Sequence, residues 1–146
     1  MGAVREILQQ KQARSLQCTR PDETVLTATQ RMNEFSIGAL LVMDQGRLVG
    51  IFTERDVLRR VVAAELAPAA VHVAEVMTTS IACCTPDSSV DDARNIFRQH
   101  RIRHLPVVNS QGEVQGLISI GDLNAYDAIH QEVTIHFLHE YLHGRV

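Results

Sequence analysis

Gly50-Ile51-Phe52-Thr53-Glu54-Arg55-Asp56 returns later in the chain as Gly116-Leu117-Ile118-Ser119-Ile120-Gly121-Asp122, shifted by 66 positions. In both stretches an apolar run ends at a hydroxyl residue, and an acid follows three positions on. That order predicts a strand that runs directly into a helix. It is close to a capping box, in which hydroxyl and carboxylate satisfy the free N–H groups of the first helical turn. The same N–H groups, aided by the helix dipole, attract phosphate. An Asp one turn into the helix also suits the two hydroxyls of a ribose. One site can serve as cap and cradle together, so neither reading excludes the other.

Outward from this pair, the chain divides into two copies of one unit. Pro21-Asp22-Glu23-Thr24-Val25 lies over Pro86-Asp87-Ser88-Ser89-Val90 at an offset of 65. Ala28 then meets Ala93, Met32 meets Phe97, Ile37 meets Ile102, Leu40 meets Leu105, and Val42 meets Val107. One inserted residue near Asn109-Ser110 moves the offset to 66, where Gly46 meets Gly112. The heads also match, Val4-Arg5-Glu6-Ile7 against Val73-Ala74-Glu75-Val76. In each copy a helix is marked by apolar residues at helical spacing: Val25, Ala28, Met32 and Phe35, then Val90, Ala93, Ile96 and Phe97. Asp22 and Asp87 are placed as its caps. Strands follow at 39–43 and 105–108, then a polar Gly turn, then strands at 48–52 and 114–118. Closing helices open at Thr53 and Ser119.

The predicted fold is therefore α/β (α+β), with two small units packed about a pseudo-twofold axis, since neither alone buries much core. The copies span residues 4–66 and 72–129, with a linker at 67–71 and a helical tail at 130–146. Aromatic residues make up 4% of the chain and Trp is absent, so the core has to be aliphatic. Lys and Arg number 14 against 17 Asp and Glu, which argues against a general nucleic-acid binder. Cys18, Cys83 and Cys84 fit neither a disulfide framework nor a zinc spacing, and read as reduced thiols. Met1 to Gln10 has no apolar signal-like core, and the apolar run Ile37 to Met43 is too short to span a bilayer. The expected setting is cytoplasmic, with no membrane partner.

Two repeats of this length, each ending in Gly-apolar-apolar-Thr/Ser-x-x-Asp, resemble a tandem pair of CBS domains. Arg101-Ile102-Arg103-His104-Leu105-Pro106-Val107-Val108 is similar to the family's second-copy pattern. The resemblance runs from about Val4 to Ile129 and is strongest to small stand-alone bacterial CBS pairs related to the regulatory part of IMP dehydrogenase. It implies β-α-β-β-α in each copy, a cleft with two quasi-equivalent sites, and a homodimer. It also implies adenosine ligands: AMP, ADP, ATP, NAD or S-adenosylmethionine.

Carried over residue by residue, the resemblance gives two unequal sites. Asp56 would hold one ribose with Thr53 near phosphate, Ile81, Ala82 and Ile102 beside the adenine, and Arg103 and His104 reaching the phosphates. Asp122 and Ser119 would form the other with Leu16, Ile37, Gly38 and Ala39, Gly38 permitting close approach. Its cationic complement has to come from elsewhere, with Lys11, Arg14 and Arg55 as candidates. AMP or another adenylate is expected at the Asp56 site. For Arg103 and His104 a solvated face or a dimer contact stands as the alternative.

His139-Glu140-Tyr141-Leu142-His143 matches H-E-x-x-H, with His136 one turn earlier. The rest of the chain belongs to the repeats, so an amphipathic helix bearing Val133, Phe137, Leu138, Tyr141 and Leu142 is the expectation, with no metal site. No nucleophile with its base is visible, so no catalytic residue is assigned and no obligatory cofactor is expected. The reading is a regulatory sensor of adenine nucleotide, AMP first and NAD included, acting with an unidentified effector protein. A structural or interaction protein with vestigial clefts is the alternative, and a zinc hydrolase ranks third.

Overall fold

The computed structural model describes residues 2–11 and 16–142, with side chains through Gln131. Helix α1 (Val4–Gln10) is followed by strand β1 (Cys18–Thr19), helix α2 (Val25–Phe35) and strands β2 (Ala39–Asp44) and β3 (Arg47–Thr53). A short helix α3 (Glu54–Asp56) then runs on into the wider turns of a π-helix at Val57–Val62. The second half holds α4 (Val73–Val76), α5 (Val90–His100), β4 (His104–Val108), β5 (Val114–Ser119) and α6 (Ile120–Leu142).

The first half has the expected β-α-β-β-α order, with β1 parallel to β2 and β2 antiparallel to β3. In the second half β4 and β5 pair alike, and the opening strand shrinks to one parallel bridge, Cys84 to Val107. Irregularities recur at matched places. Both β ladders shift register after the matched residues Val42 and Val107. Ser36 and Arg101, ending α2 and α5, take φ of 53° and 52°. Gln45-Gly46, both at positive φ, form the two-residue turn between β2 and β3. The second hairpin joins Val108 to Val114 over five residues, with Gly112 again at φ 79°.

One local expectation is corrected. Thr24 and Ser89, rather than Asp22 and Asp87, cap α2 and α5: their hydroxyls accept from the N–H groups of Thr27 at 3.1 Å and Asp92 at 2.9 Å. The helices start later than the Pro-Asp signal implied, and the two Asp side chains pair instead with Arg20 and Arg5.

Strand alternation places the core. Leu40, Val42 and Phe52 face α2 and α4, whereas Ala39, Leu41 and Ile51 face Val114 and Leu117 of the other sheet. The heads are exchanged. Val4 and Ile7 of α1 pack in the second-half core with Phe97, Leu105 and Ile118. Val73 and Val76 of α4 pack in the first-half core. Equivalent backbone bonds fix both exchanges: Val4 N–H donates to Ser88 O and Val73 N–H to Glu23 O, while Val90 N–H donates to Gly2 O and Val25 N–H to Val71 O.

The three cysteines are free. Burial pushes the Cys84 thiol up to about 11, with Cys83 adding to the rise, so it stays protonated at neutral pH. Among the described residues no helix is long and apolar enough to cross a membrane.

Candidate functional site

Both hydroxyl-x-x-Asp stretches fold as capping boxes, but the two carboxylates end in different surroundings. At the β3–α3 junction Asp56 Oδ2 accepts from Thr53 N–H at 3.0 Å, and Thr53 Oγ1 accepts from Asp56 N–H at 3.3 Å. Asp56 Oδ1 accepts from the Thr78 hydroxyl at 3.0 Å, and Arg60 Nε lies 3.8 Å away. Both oxygens are engaged, and the residue is 5% exposed. The seal comes from the segment after α4. Thr78 exchanges backbone bonds with Ile51, and Arg60 donates to the carbonyls of Val76 and Met77.

At the β5–α6 junction Asp122 Oδ2 accepts from Ser119 N–H at 2.8 Å, and Ser119 Oγ accepts from Asp122 N–H at 3.0 Å. Among the described residues no hydroxyl covers this carboxylate. Instead the Lys11 ammonium sits 2.9 Å from Oδ2 and donates to Leu117 O at 2.5 Å. Among the described residues Oδ1 accepts no bond. The exchanged heads explain the difference. Met77 lies against Gly50 just as Leu8 lies against Gly116, but the chain beyond each meets the neighbouring acid differently. After Met77 comes Thr78, short enough to plug the site. After Leu8 the chain reaches the acid only through the longer Lys11.

A cleft of about 1420 Å³ opens at Asp122. Leu16, Ile37, Gly38, Ala39, Ser119 and Asp122 all line it, and Lys11, Phe35 and His104 join them. A methyl at Gly38 would lie 3.1 Å from the Glu54 carboxylate and 3.4 Å from the His104 ring, so a side chain there would narrow the cleft. His104, paired with Ser119 across β4 and β5, belongs to this cleft rather than standing over Asp56. Its pKa is lowered, chiefly by burial, with Lys11 and Arg103 adding to the fall while Glu54 and Asp122 oppose it.

The other expected residues lie apart from this cleft. Thr53 caps α3, and Ala82 and Ile102 pack on the second-half core. Ile81 is half-buried and Arg103 is exposed. Of the candidate cations, Arg55 donates to Arg101 O at 2.8 Å, and Arg14 lies outside the described residues. The H-E-x-x-H stretch runs along α6 as far as Leu142; its side chains and His143 lie outside the described residues. Among the described residues no His, Cys, Asp and Glu group gathers to hold a metal. Lys11 was one of three cations offered to Asp122; the signal that could have singled it out is its place four residues beyond the head that matches Val73 to Val76.

The family model for the CBS domain matches residues 4–63 and again 73–128. The chain belongs to the CBS-domain family. It is 36% identical over 103 residues to CBS domain-containing protein YhcV of Bacillus subtilis, covering 70% of this chain and 72% of that one. It is 35% identical over 124 residues to inosine-5'-monophosphate dehydrogenase of Nitrosopumilus maritimus, covering 81% of this chain but 25% of the dehydrogenase. The CBS-domain protein ATU1752 of Agrobacterium tumefaciens superposes with a TM-score of 0.80 at 32% identity, over 86% of this chain and 99% of that one. The CBS protein PAE2072 of Pyrobaculum aerophilum, crystallised with AMP, gives 0.77 at 26% identity, over 92% and 99%. The tandem CBS pair is thus shared with proteins of this size, and the chain spans 62% and 54% of two further curated relatives.

Proposed function

We propose that this CBS pair is a regulatory module that binds an adenine nucleotide, AMP first, in the Asp122 cleft and catalyses no reaction. The convergence of Leu16, Ile37, Gly38, Ala39, Ser119 and Asp122 on one open cleft carries the reading. Leu16, Ile37 and Ala39 offer an apolar wall for a base, Asp122 acceptors for ribose hydroxyls, and the N-terminus of the long helix α6 a setting for phosphate. The AMP complex of PAE2072 supports the ligand class.

For Asp56 the structural reading is the better supported. A carboxylate with both oxygens engaged and 5% exposure acts as a buried tie between α3 and the segment after α4. The expected adenylate preference therefore moves from the Asp56 site to the Asp122 cleft; Thr53 stays with the tie, and Ile81, Ala82, Ile102 and Arg103 are given no part in the ligand site. A second copy of the chain is the proposed partner, supported by Leu58 and Val62, which stand 62% and 60% exposed one turn apart. Sedimentation at micromolar concentration is the check, and a monomer there removes this element. An effector protein that reads the bound state completes the proposal.

A thermal-shift panel of AMP, ATP, NAD and S-adenosylmethionine tests the ligand reading. AMP is expected to raise the melting temperature of the wild type by mass action and to leave Asp122→Ala unmoved. Asp56→Ala is expected to melt lower but to keep its response to AMP. No stabilisation of the wild type by any adenine compound would return the chain to a structural role.

A further inference from the structure

Lys11 reaches the cleft from the first-copy head, yet its ammonium is held entirely by second-copy groups, Asp122 Oδ2 at 2.9 Å and Leu117 O at 2.5 Å. It closes α1, whose Val4 and Ile7 are fully buried in the second-half core, so the base of its side chain is fixed. Its tip is partly open to solvent, the side chain being 31% exposed and Asp122 22%, and the four-carbon stem gives the charge more than one reachable partner position. Before any ligand arrives, then, the acid proposed for the ribose already carries a cation. Oδ1, which accepts no bond among the described residues, is open to one ribose hydroxyl, but a second that reaches Oδ2 competes with an ion pair.

We propose that Lys11 makes the cleft selective for phosphorylated ligands by exchanging Asp122 for the ligand's phosphate. This rests on the Asp122 cleft being the adenine-nucleotide site. A nucleoside whose two ribose hydroxyls take both oxygens of Asp122 displaces the ammonium from Oδ2 and offers it nothing in return. A nucleotide offers the same hydroxyls together with a phosphate, so the ammonium passes from one anion to another and stays paired. The exchange moves no covalent bond and no proton. At the sealed site Arg60 lies 3.8 Å from Asp56, but that guanidinium is tied to the carbonyls of Val76 and Met77 and the neutral Thr78 hydroxyl takes Oδ1.

Calorimetry with AMP and with adenosine on wild type, Lys11→Met and Lys11→Arg tests this. The wild type is expected to prefer AMP by about tenfold or more, the scale of one charge-assisted hydrogen bond. Lys11→Met should lose about that factor for AMP while holding or gaining affinity for adenosine, so that the preference collapses. Lys11→Arg should keep it. If Lys11→Met weakens AMP and adenosine alike, or leaves the preference intact, Lys11 is no selector and the proposal falls alone. If the wild type binds neither compound, the reading of the cleft falls and takes the proposal with it. Melting curves of both variants show whether the fold is retained.

Discussion

His104 carries the residue-scale consequence that reaches furthest in solution. Burial lowers its pKa below the ordinary 6.5, so the folded protein holds the ring neutral at a pH where the unfolded chain already binds a proton. The unfolded state then takes up more protons, and stability falls as pH drops through about 6.5 toward the lowered folded value. Denaturant melts between pH 7.5 and 5.5 should show this slope, and His104→Gln should flatten it. An unchanged slope in the variant would place the dependence elsewhere. At this scale the sequence told less than it seemed to. Asp56 and Asp122 sit in near-identical stretches, and only the exchanged heads make one a sealed tie and the other open. Whether Thr78 or Lys11 meets the acid depends on packing about 22 residues after Asp56 and 111 before Asp122, a separation that no local pattern encodes.

At the scale of elements, periodicity served well. Helices α2 and α5, strands β2 to β5 and the junctions at Thr53 and Ser119 all follow from apolar spacing and turn chemistry. The caps did not, because Pro-Asp and the later Thr24 or Ser89 are all plausible starts and the backbone bonds from Val71 and Gly2 decide between them. The heads were visible as a match between Val4-Arg5-Glu6-Ile7 and Val73-Ala74-Glu75-Val76, but their exchange was not. That exchange makes a testable statement about α1. Ile7, 1% exposed, belongs to the second-half core although it begins the first copy. Ile7→Ala is expected to cost about 3 kcal/mol by loss of buried methyl groups. Because α1 and α4 interlock the halves, the variant should still unfold in one transition, with coincident fluorescence-probe and circular-dichroism melts. A separate early melt confined to the second half would show that the halves are not so coupled.

At the scale of the whole molecule, two sheets meet through Ala39, Leu41, Ile51, Val114 and Leu117, and the helices cover their outer faces. Helix α6 continues the second copy for 23 residues, about 34 Å at 1.5 Å per residue. The duplication was plain in the sequence because Gly, Pro and apolar positions stay in step; two unequal sites were also expected there, but which acid stands open was plain only in three dimensions. The resemblance placed Arg103 and His104 with Asp56 and offered Lys11 to Asp122, and the fold brings both His104 and Lys11 to the Asp122 cleft.

A single open cleft is the centre of this account, and binding stoichiometry tests it most directly. Calorimetric titration with AMP should be run on the wild type, on Asp56→Asn, which keeps an acceptor for the cap, and on Asp122→Asn. The expected result is a single AMP per chain, unchanged in Asp56→Asn and lost in Asp122→Asn. Two AMP per chain in the wild type, or loss of binding in Asp56→Asn with binding retained in Asp122→Asn, would contradict it.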